Sequence, residues 1–243
     1  REVCNDGSPA VFFIRKATPG GGHEHDWLLW LEGGASCSNA ETCADRWCGT
    51  RSQGGYGAHK MSSRYTFEVV KGNGIFRQDP SNNFKDFHQV STYYCSSDNY
   101  VGRDSVDVVP EAGYPGYKLQ FNGQAILQGV LRRLRDGVTS DDMQATLPPL
   151  DKSSTLLFTG SSGGGQGAMY NINRVADWAA TVPVAAFTVS IDSRILPTVD
   201  DTTTLTAQQK EGTLARGDQV ARFRNDVLDE RCLAYHVADP RYC

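Results

Sequence analysis

Short apolar runs along the chain predict five β-strands. One of them, WLLWLE (27–32), is continuously apolar, which is typical of a strand covered on both faces of a sheet. A turn rich in Gly and Pro at 17–26 follows the first run, so the chain is predicted to start with a hairpin. The remaining predicted strands cover 9–16, 89–95, 155–159 and 184–191.

Apolar residues at helical spacing predict an amphipathic helix over residues 119–135. Arg132, Arg133 and Arg135 lie near its end, where positive charges suit the helix dipole. We interpret these arginines as a solvated helix face. The apolar positions are Leu119, Ile126, Leu127, Val130, Leu131 and Leu134.

The order of these segments predicts the fold class. The last two predicted strands flank a Gly-rich turn and a second helical pattern, so strands and helices alternate. That order is typical of an α/β protein with a mostly parallel central sheet flanked by helices. Residues 36–60 and 96–118 are polar and predict loops, and 200–243 predict helix in part, without a strand. Without an internal repeat or a linker, residues 1–243 are predicted to form one domain.

Composition and charge exclude several classes of protein. Lys and Arg number 24 against 28 Asp and Glu, giving a net charge of −4. That balance argues against nucleic acid as a partner, because a general nucleic-acid binder usually presents a basic face. No apolar run approaches the roughly 20 residues of a membrane span. The hydrophobic share of 39% is enough to form a core.

The seven cysteines indicate the compartment. None forms a CxxC pair and the five histidines are scattered, so no metal site is predicted, and no motif indicates a cofactor. Disulfides in a secreted, extracellular protein are the simpler interpretation. An odd count leaves one thiol free, joined to another chain, or joined to a segment beyond this sequence.

A G-x-S-x-G motif identifies a candidate nucleophile. Gly160-Ser161-Ser162-Gly163-Gly164 lies between a predicted strand and a predicted helix, the context in which hydrolases carry their serine on a strained turn. Ser162 is therefore the predicted nucleophile, and the following helix directs its free amides at the site. A nucleotide-binding turn is the alternative, but the stretch lacks the G-K-[S/T] of a P-loop.

A second glycine turn predicts the oxyanion hole. The apolar strand at 27–32 ends in Gly33-Gly34-Ala35, whose small side chains leave backbone amides free to face a developing negative charge. The amides of Gly34 and Ala35, with that of Gly163 after the nucleophile, are the predicted donors. An ordinary turn at a strand end is the alternative for the first two.

Several motifs together resemble the pectin acetylesterase and Notum family of secreted serine esterases. The similarity extends over nearly the whole chain, from Cys4 to about Cys243. The stretches that carry it are CNDGSPAVFF (4–13), WLLWLEGG (27–34), CSNAETC (37–43), MSSR (61–64), YYCSSD (93–98), TGSSGGGQGAMYNINRVADW (159–178) and DERC (229–232).

The resemblance implies an α/β-hydrolase fold, hydrolysis of carboxylic esters, Ser162 as nucleophile, and the same three oxyanion donors. It also implies disulfides Cys4–Cys95, Cys37–Cys43 and Cys232–Cys243, which leaves Cys48 over. The chain departs from the family pattern at two positions. Notum carries a tryptophan where Ala35 stands, and alanine is commoner at Gly163. Both positions act through their amides, so the hole is expected to persist with an altered pocket wall.

The rest of a catalytic triad is not identifiable in the sequence. In α/β hydrolases an acid and then a histidine follow the serine, and after Ser162 the chain has His236 as its histidine. His236 fits a surface loop better than a base, and the resemblance places the true acid and histidine past residue 243. We therefore expect the hydrolase domain to lack its C-terminal part here and a further segment of the same protein to complete it. The acidic residues that lie between Ser162 and His236, as the chain order of the triad requires, include Asp192, Asp200, Asp201, Glu211, Asp218, Asp226, Asp229 and Glu230.

Two functions follow as hypotheses. The first is a secreted serine carboxylesterase that removes acetyl from a pectin-like polysaccharide or a longer acyl group from a protein. The second is a non-catalytic relative that binds carbohydrate or lipid in a retained pocket, as the missing acid and histidine would suggest. A nucleotide-binding α/β protein is a weaker third interpretation, for the motif reasons above.

Overall fold

The computed structural model describes residues 1–49, 57–108, 116–182, 184–192 and 205–243. Its helices are α1 (Ala40–Cys48), α2 (Gly123–Asp136), α3 (Gly163–Thr181), α4 (Ala207–Arg224) and α5 (Glu230–Tyr235). Its strands are β1 (Phe12–Arg15), β2 (Asp26–Leu31), β3 (His88–Thr92), β4 (Asp104–Val108), β5 (Tyr117–Phe121), β6 (Val138–Thr139), β7 (Thr146–Leu147), β8 (Thr155–Ser161) and β9 (Ala186–Asp192).

Five strands form a central sheet in the order β1-β3-β2-β8-β9. All neighbours are parallel except β1, which pairs antiparallel with β3. The prediction of a mostly parallel sheet with flanking helices is therefore confirmed. The predicted N-terminal hairpin is wrong, because β3 and β8 occupy both edges of β2 and leave β1 only the far side of β3.

The hydrophobic core lies between the sheet and its helices. The apolar run of β2 is central, and Leu28, Leu29 and Leu31 are completely buried, as expected for a strand covered on both faces. Burying one such side chain contributes about 1.5–3 kcal/mol. The amphipathic helix α2 joins the same core through Leu127, Val130, Leu131 and Leu134.

The predicted start of that helix is wrong. Leu119 lies in β5, where it pairs with Val106 of β4 rather than facing the core from a helix. Asn122 has φ −120° and ψ 25°, which is not helical, so α2 begins at Gly123. Leu119 and Phe121 are buried because alternate residues of a strand face the same side.

Two predicted loops contain regular structure. The 36–60 region includes α1, which is capped at Asn39: its side chain accepts from the Thr42 amide in a capping box. The 96–118 region includes β4. Both elements are short and polar, so hydrophobic periodicity does not reveal them. The partly helical C-terminal region is confirmed by α4 and α5.

Disulfides join Cys4 to Cys95, Cys37 to Cys43, and Cys232 to Cys243. These are the pairs that the family resemblance implies. Cys48 is exposed and forms no disulfide with the described part of the chain. Among the helices described above, none combines the length and apolar character required to cross a bilayer.

Candidate active site

Ser162 occupies the junction between β8 and α3. The strand ends at Ser161 and the helix begins at Gly163, so one residue makes the whole turn. Ser162 has φ +55° and ψ −122°, a conformation that non-glycine residues rarely adopt. Such strain costs on the order of 1–3 kcal/mol and is concentrated at functional sites. The turn is thus a strained strand-to-helix turn of the kind that presents a nucleophilic serine.

Glycines allow the turn to pack against the end of β2. A Cβ on Gly164 would lie closer than 3.0 Å to the Leu31 carbonyl, and one on Gly160 would clash with the Gly164 carbonyl. On the facing loop, a Cβ on Gly33 would lie 3.1 Å from the Gly163 nitrogen. These close approaches bring the end of β2 directly beside Ser162.

The loop Gly33–Ala35 lies directly beside the turn that carries Ser162. The Ala35 nitrogen lies 3.7 Å from the position that a Cβ on Gly163 would occupy, so the two backbone segments are neighbours. Gly34 has φ +156°, which disfavours any side chain, and Ala35 has φ +56°. The structure thus brings together the predicted donors, Gly34, Ala35 and Gly163, at the turn that carries Ser162.

A buried arginine fixes the orientation of this loop. Arg46 of α1 is 1% exposed, and its Nη2 donates a 2.6 Å hydrogen bond to the Gly34 carbonyl. In a trans peptide the carbonyl oxygen and the following N–H point in opposite directions. By holding the Gly34 carbonyl on one side, Arg46 directs the Ala35 amide to the other.

An ion pair and a backbone hydrogen bond hold Glu32, which leads into the same loop. Glu32, which precedes Gly33, accepts a 2.9 Å hydrogen bond from the Tyr94 amide and pairs with Lys60 at 2.6 Å. The Lys60 stem packs against Gly34, and its ammonium lies 5.0 Å from the centre of the Tyr93 ring. Burial lowers the pKa of the nearby His59, and the positive charges of Lys60 and Arg46 lower it further.

A buried polar loop, Ser96–Tyr100, lies behind the turn. Asp98 is fully buried and accepts hydrogen bonds from the Ser96 hydroxyl at 2.6 Å, the Tyr100 amide at 2.9 Å and the Gly123 amide at 2.8 Å. Burial, reinforced by the negative charge of Asp226, raises the pKa of Asp98 to about 7. Asp98 thereby connects this loop to the first residue of α2.

The raised pKa of Asp98 predicts a stability that falls as pH rises. Its folded-state pKa lies above the ordinary value of 3.8, so between about pH 4 and pH 7 the native state keeps a proton that the unfolded chain releases. The stability linked to this group is fully present below about pH 4 and is lost towards pH 7, by at most about 1.4 kcal/mol per pH unit. We expect Asp98→Asn to remove this component of the pH slope.

The measurement is the urea midpoint of both proteins at several pH values across that window. Other titrating groups are common to the two proteins, so the difference between their slopes isolates Asp98. Parallel slopes would contradict the assignment.

None of the described candidates for the triad acid and histidine contacts the Ser162 hydroxyl. Among the described residues, the Ser162 hydroxyl has no hydrogen bond to a histidine or carboxylate. His236 follows α5, with its ring 4.8 Å from that of Tyr235. Asp192 is the last residue of β9 and pairs in register with Ser161, while Asp200 and Asp201 lie outside the described residues.

The other candidate acids lie in local contacts. Asp226 is buried in an ion pair with Arg224, and Asp229 caps α5. Glu211 and Asp218 pair with Arg241 and Arg222. Glu230 lies in the first turn of α5. None of these pairings involves the turn at Ser162.

Sequence reasoning missed the residues that support the site. Lys60 precedes the MSSR motif and Asp98 ends the YYCSSD motif, so both lay beside recognisable signals. Glu32 adjoins the predicted oxyanion glycines. Arg46 and Asn99 have no local pattern, because their roles depend on contacts between segments that are distant in sequence.

Comparison with known proteins identifies the family. Residues 1–190 match the family model described as pectinacetylesterase. The palmitoleoyl-protein carboxylesterase Notum of Homo sapiens is 30% identical over 240 residues, which is 95% of this chain and 42% of the human protein. Pectin acetylesterase 5 of Arabidopsis thaliana is 29% identical over 178 residues, 72% of this chain and 35% of the plant protein.

A solved structure supports the fold. The crystal structure of the Wnt deacylase Notum from Drosophila matches all of this chain and 63% of its own, with a TM-score of 0.71 at 24% identity. At that identity the likeness shows the fold alone, and it confirms the predicted α/β-hydrolase fold. The chain spans less than half the length of the human and plant relatives. From the family match over residues 1–190, the chain belongs to the pectinacetylesterase family.

Proposed function

We propose that this protein is a secreted serine carboxylesterase that removes an acyl group from an acylated substrate. The substrate is an O-acetylated, pectin-like polysaccharide or a protein carrying a longer O-acyl chain, as the names of the plant and human relatives suggest. The observation that carries the proposal is the strained conformation of Ser162, φ +55° and ψ −122°, between β8 and α3.

The proposed reaction uses Ser162 and three backbone amides. The Ser162 hydroxyl attacks the ester carbonyl carbon, and the amides of Gly34, Ala35 and Gly163 stabilise the negative charge on its oxygen. The alcohol leaves with a proton, and water then releases the acid from the acyl-serine. A histidine and an orienting acid are needed to move these protons; their placement after residue 243 stays a prediction.

Secretion is supported by the disulfides. Three intrachain bridges persist in oxidising compartments and are rare in the cytosol. The Cys4–Cys95 bridge ties the N-terminal segment to the loop after β3, close to the polar loop that supports the nucleophile. An extracellular location is consistent with both proposed substrates.

Labelling with a fluorophosphonate tests the proposal on the full-length protein. The probe phosphonylates a serine only if the hydroxyl is activated: the serine oxygen bonds to phosphorus and fluoride leaves. We therefore expect the adduct on the peptide that contains Ser162. Ser161→Ala is the matched control, and it should retain labelling. Absence of an adduct from the folded full-length protein would contradict an esterase and favour a binding relative. Rates with p-nitrophenyl acetate and octanoate then separate short from long acyl preference.

A further inference from the structure

The side chain of Asn99 lies against the first turn of α3. Asn99 is 4% exposed and has φ +53°, a left-handed conformation that asparagine tolerates better than most residues. Its Oδ1 lies 3.1 Å from the position that a Cβ on Gly163 would occupy, and its carbonyl lies 2.8 Å from the corresponding position on Gly167. Asn99 is therefore packed directly against Gly163, the residue that follows Ser162.

Hydrogen bonds connect Asn99 to the nucleophile turn. Its Nδ2 donates to the Gln166 Oε1 at 3.2 Å, and the Gln166 backbone N–H donates to the Ser162 carbonyl at 3.0 Å. The Gln166 side chain continues to the Tyr170 hydroxyl at 2.6 Å. Contact with Asn99 thus restrains both the backbone and the side chains of the first helical turn.

The other side of Asn99 is held equally firmly. Its amide N–H donates to the Tyr94 hydroxyl at 2.9 Å, and that hydroxyl in turn donates to Asn99 Oδ1 at 3.3 Å. Tyr94 is completely buried. The preceding residue, Asp98, is anchored by its three hydrogen bonds. Asn99 consequently links the buried polar loop, through fixed hydrogen bonds, to the first turn of α3.

We propose that Asn99 is a positioning residue that holds the Gly163 amide in the direction of the developing oxyanion. The proposal rests on the proposed esterase function. Oxyanion donors act when they lie within about 2.7–3.1 Å of the position that the negative oxygen reaches. A small rotation of the first turn of α3 therefore weakens stabilisation of the transition state while leaving substrate binding nearly unchanged.

The pairing of Asn99 with Gly163 gives a specific test by a double-mutant cycle. Asn99→Gly removes the side chain without strain at positive φ. Gly163→Ala inserts a methyl group that would lie 3.1 Å from Asn99 Oδ1, a tight contact. The next neighbour, the Ala35 carbonyl oxygen, would lie 3.6 Å away, an ordinary contact. We expect each single change to lower kcat about 10-fold with KM nearly constant, as for weakened oxyanion stabilisation. The double variant should be no slower than Asn99→Gly, because the methyl group then occupies vacated space.

Asn225→Gly is the matched control. Asn225 also has a left-handed conformation, with φ +51°, but it ends α4, where its backbone N–H bonds the carbonyls of Ala221 and Arg222. We expect its kcat to equal that of the wild type. Multiplicative losses in the double variant, or an unchanged kcat in Asn99→Gly, would overturn the proposal.

An independent measurement keeps this test separate from the esterase proposal. The ¹⁵N order parameter of the Gly163 N–H reports its rigidity whether or not the protein is catalytic, and rigid backbone gives about 0.85. We expect a rigid value in the wild type and a lower one in Asn99→Gly, with no change in Asn225→Gly. Equal rates of hydrolysis by the wild type and Ser162→Ala would contradict the proposed esterase function. The order parameter would then still test whether Asn99 holds the Gly163 amide in place. An unchanged order parameter in Asn99→Gly would overturn that role.

Discussion

Ser162→Ala is expected to lower kcat for p-nitrophenyl acetate in the full-length protein by on the order of 10⁶-fold, the loss seen when the serine of a catalytic triad is removed. The reason is that the hydroxyl oxygen is the proposed nucleophile for the acyl carbon, so the covalent route would be lost completely. The donors of the oxyanion hole remain, and they leave a small residual rate. Folding should be unaffected, because alanine is no larger than serine at the same backbone angles.

Ser161→Ala is the internal comparison for this substitution. Ser161 is the last residue of β8, and its neighbour in the adjoining strand is Asp192. Ser161 lies one residue from the proposed nucleophile and carries the same hydroxyl group. It belongs to the strand rather than to the turn, so we do not expect its hydroxyl to reach the acyl carbon. We expect a rate close to that of the wild type. Equal rates for Ser162→Ala and the wild type would show that Ser162 is not the nucleophile.

Gly164→Ala is expected to destabilise the protein by about 4 kcal/mol or more, the range that marks severe core disruption. The new Cβ would lie closer than 3.0 Å to the Leu31 carbonyl, which is backbone at the end of the central strand β2. Neither partner can rotate away, so α3 would have to move from β2. That movement would also separate Gly163 from Ala35 and disrupt the proposed oxyanion hole.

Gly212→Ala provides the control for introducing a methyl group into a helix. Gly212 lies in α4, and a Cβ there would meet nothing within 4 Å. Alanine is a better helix former than glycine, so we expect a gain of about 0.5–1 kcal/mol. Urea unfolding of the two variants measures both effects. Similar midpoints for Gly164→Ala and the wild type would contradict the close packing of α3 on β2.

The loop after β2 and the turn at Ser162 are supported by polar contacts, several of them buried, as well as by apolar packing. Arg46 holds the Gly34 carbonyl, and Glu32 holds both Lys60 and the Tyr94 amide. Asn99 lies behind Gly163. Buried polar groups with satisfied hydrogen bonds define direction more closely than apolar contacts do. Preorganised amides require such support, since their catalytic contribution depends on orientation.

Much of the fold was predictable because its signals are local. The apolar run of β2 and the strand–turn–helix around Ser162 each depend on neighbours in sequence, through periodicity and through glycines at fixed spacing. The same holds for the nucleophile and for the glycine loop after β2. Element boundaries were less predictable, since β5 and α2 are adjacent and share a continuous set of apolar residues.

The sequence alone determined which residues could react and which turns could be tight, because serine chemistry and glycine sterics are properties of single residues. Only the tertiary structure decided that β1 pairs with β3 rather than β2, since strand pairing depends on which edges remain free. It also decided that Arg46 and Asn99 support the site. These side chains reach the turns of β2 and β8 across 12 and 64 positions of sequence, and contacts over such separations leave no periodic signal in the chain.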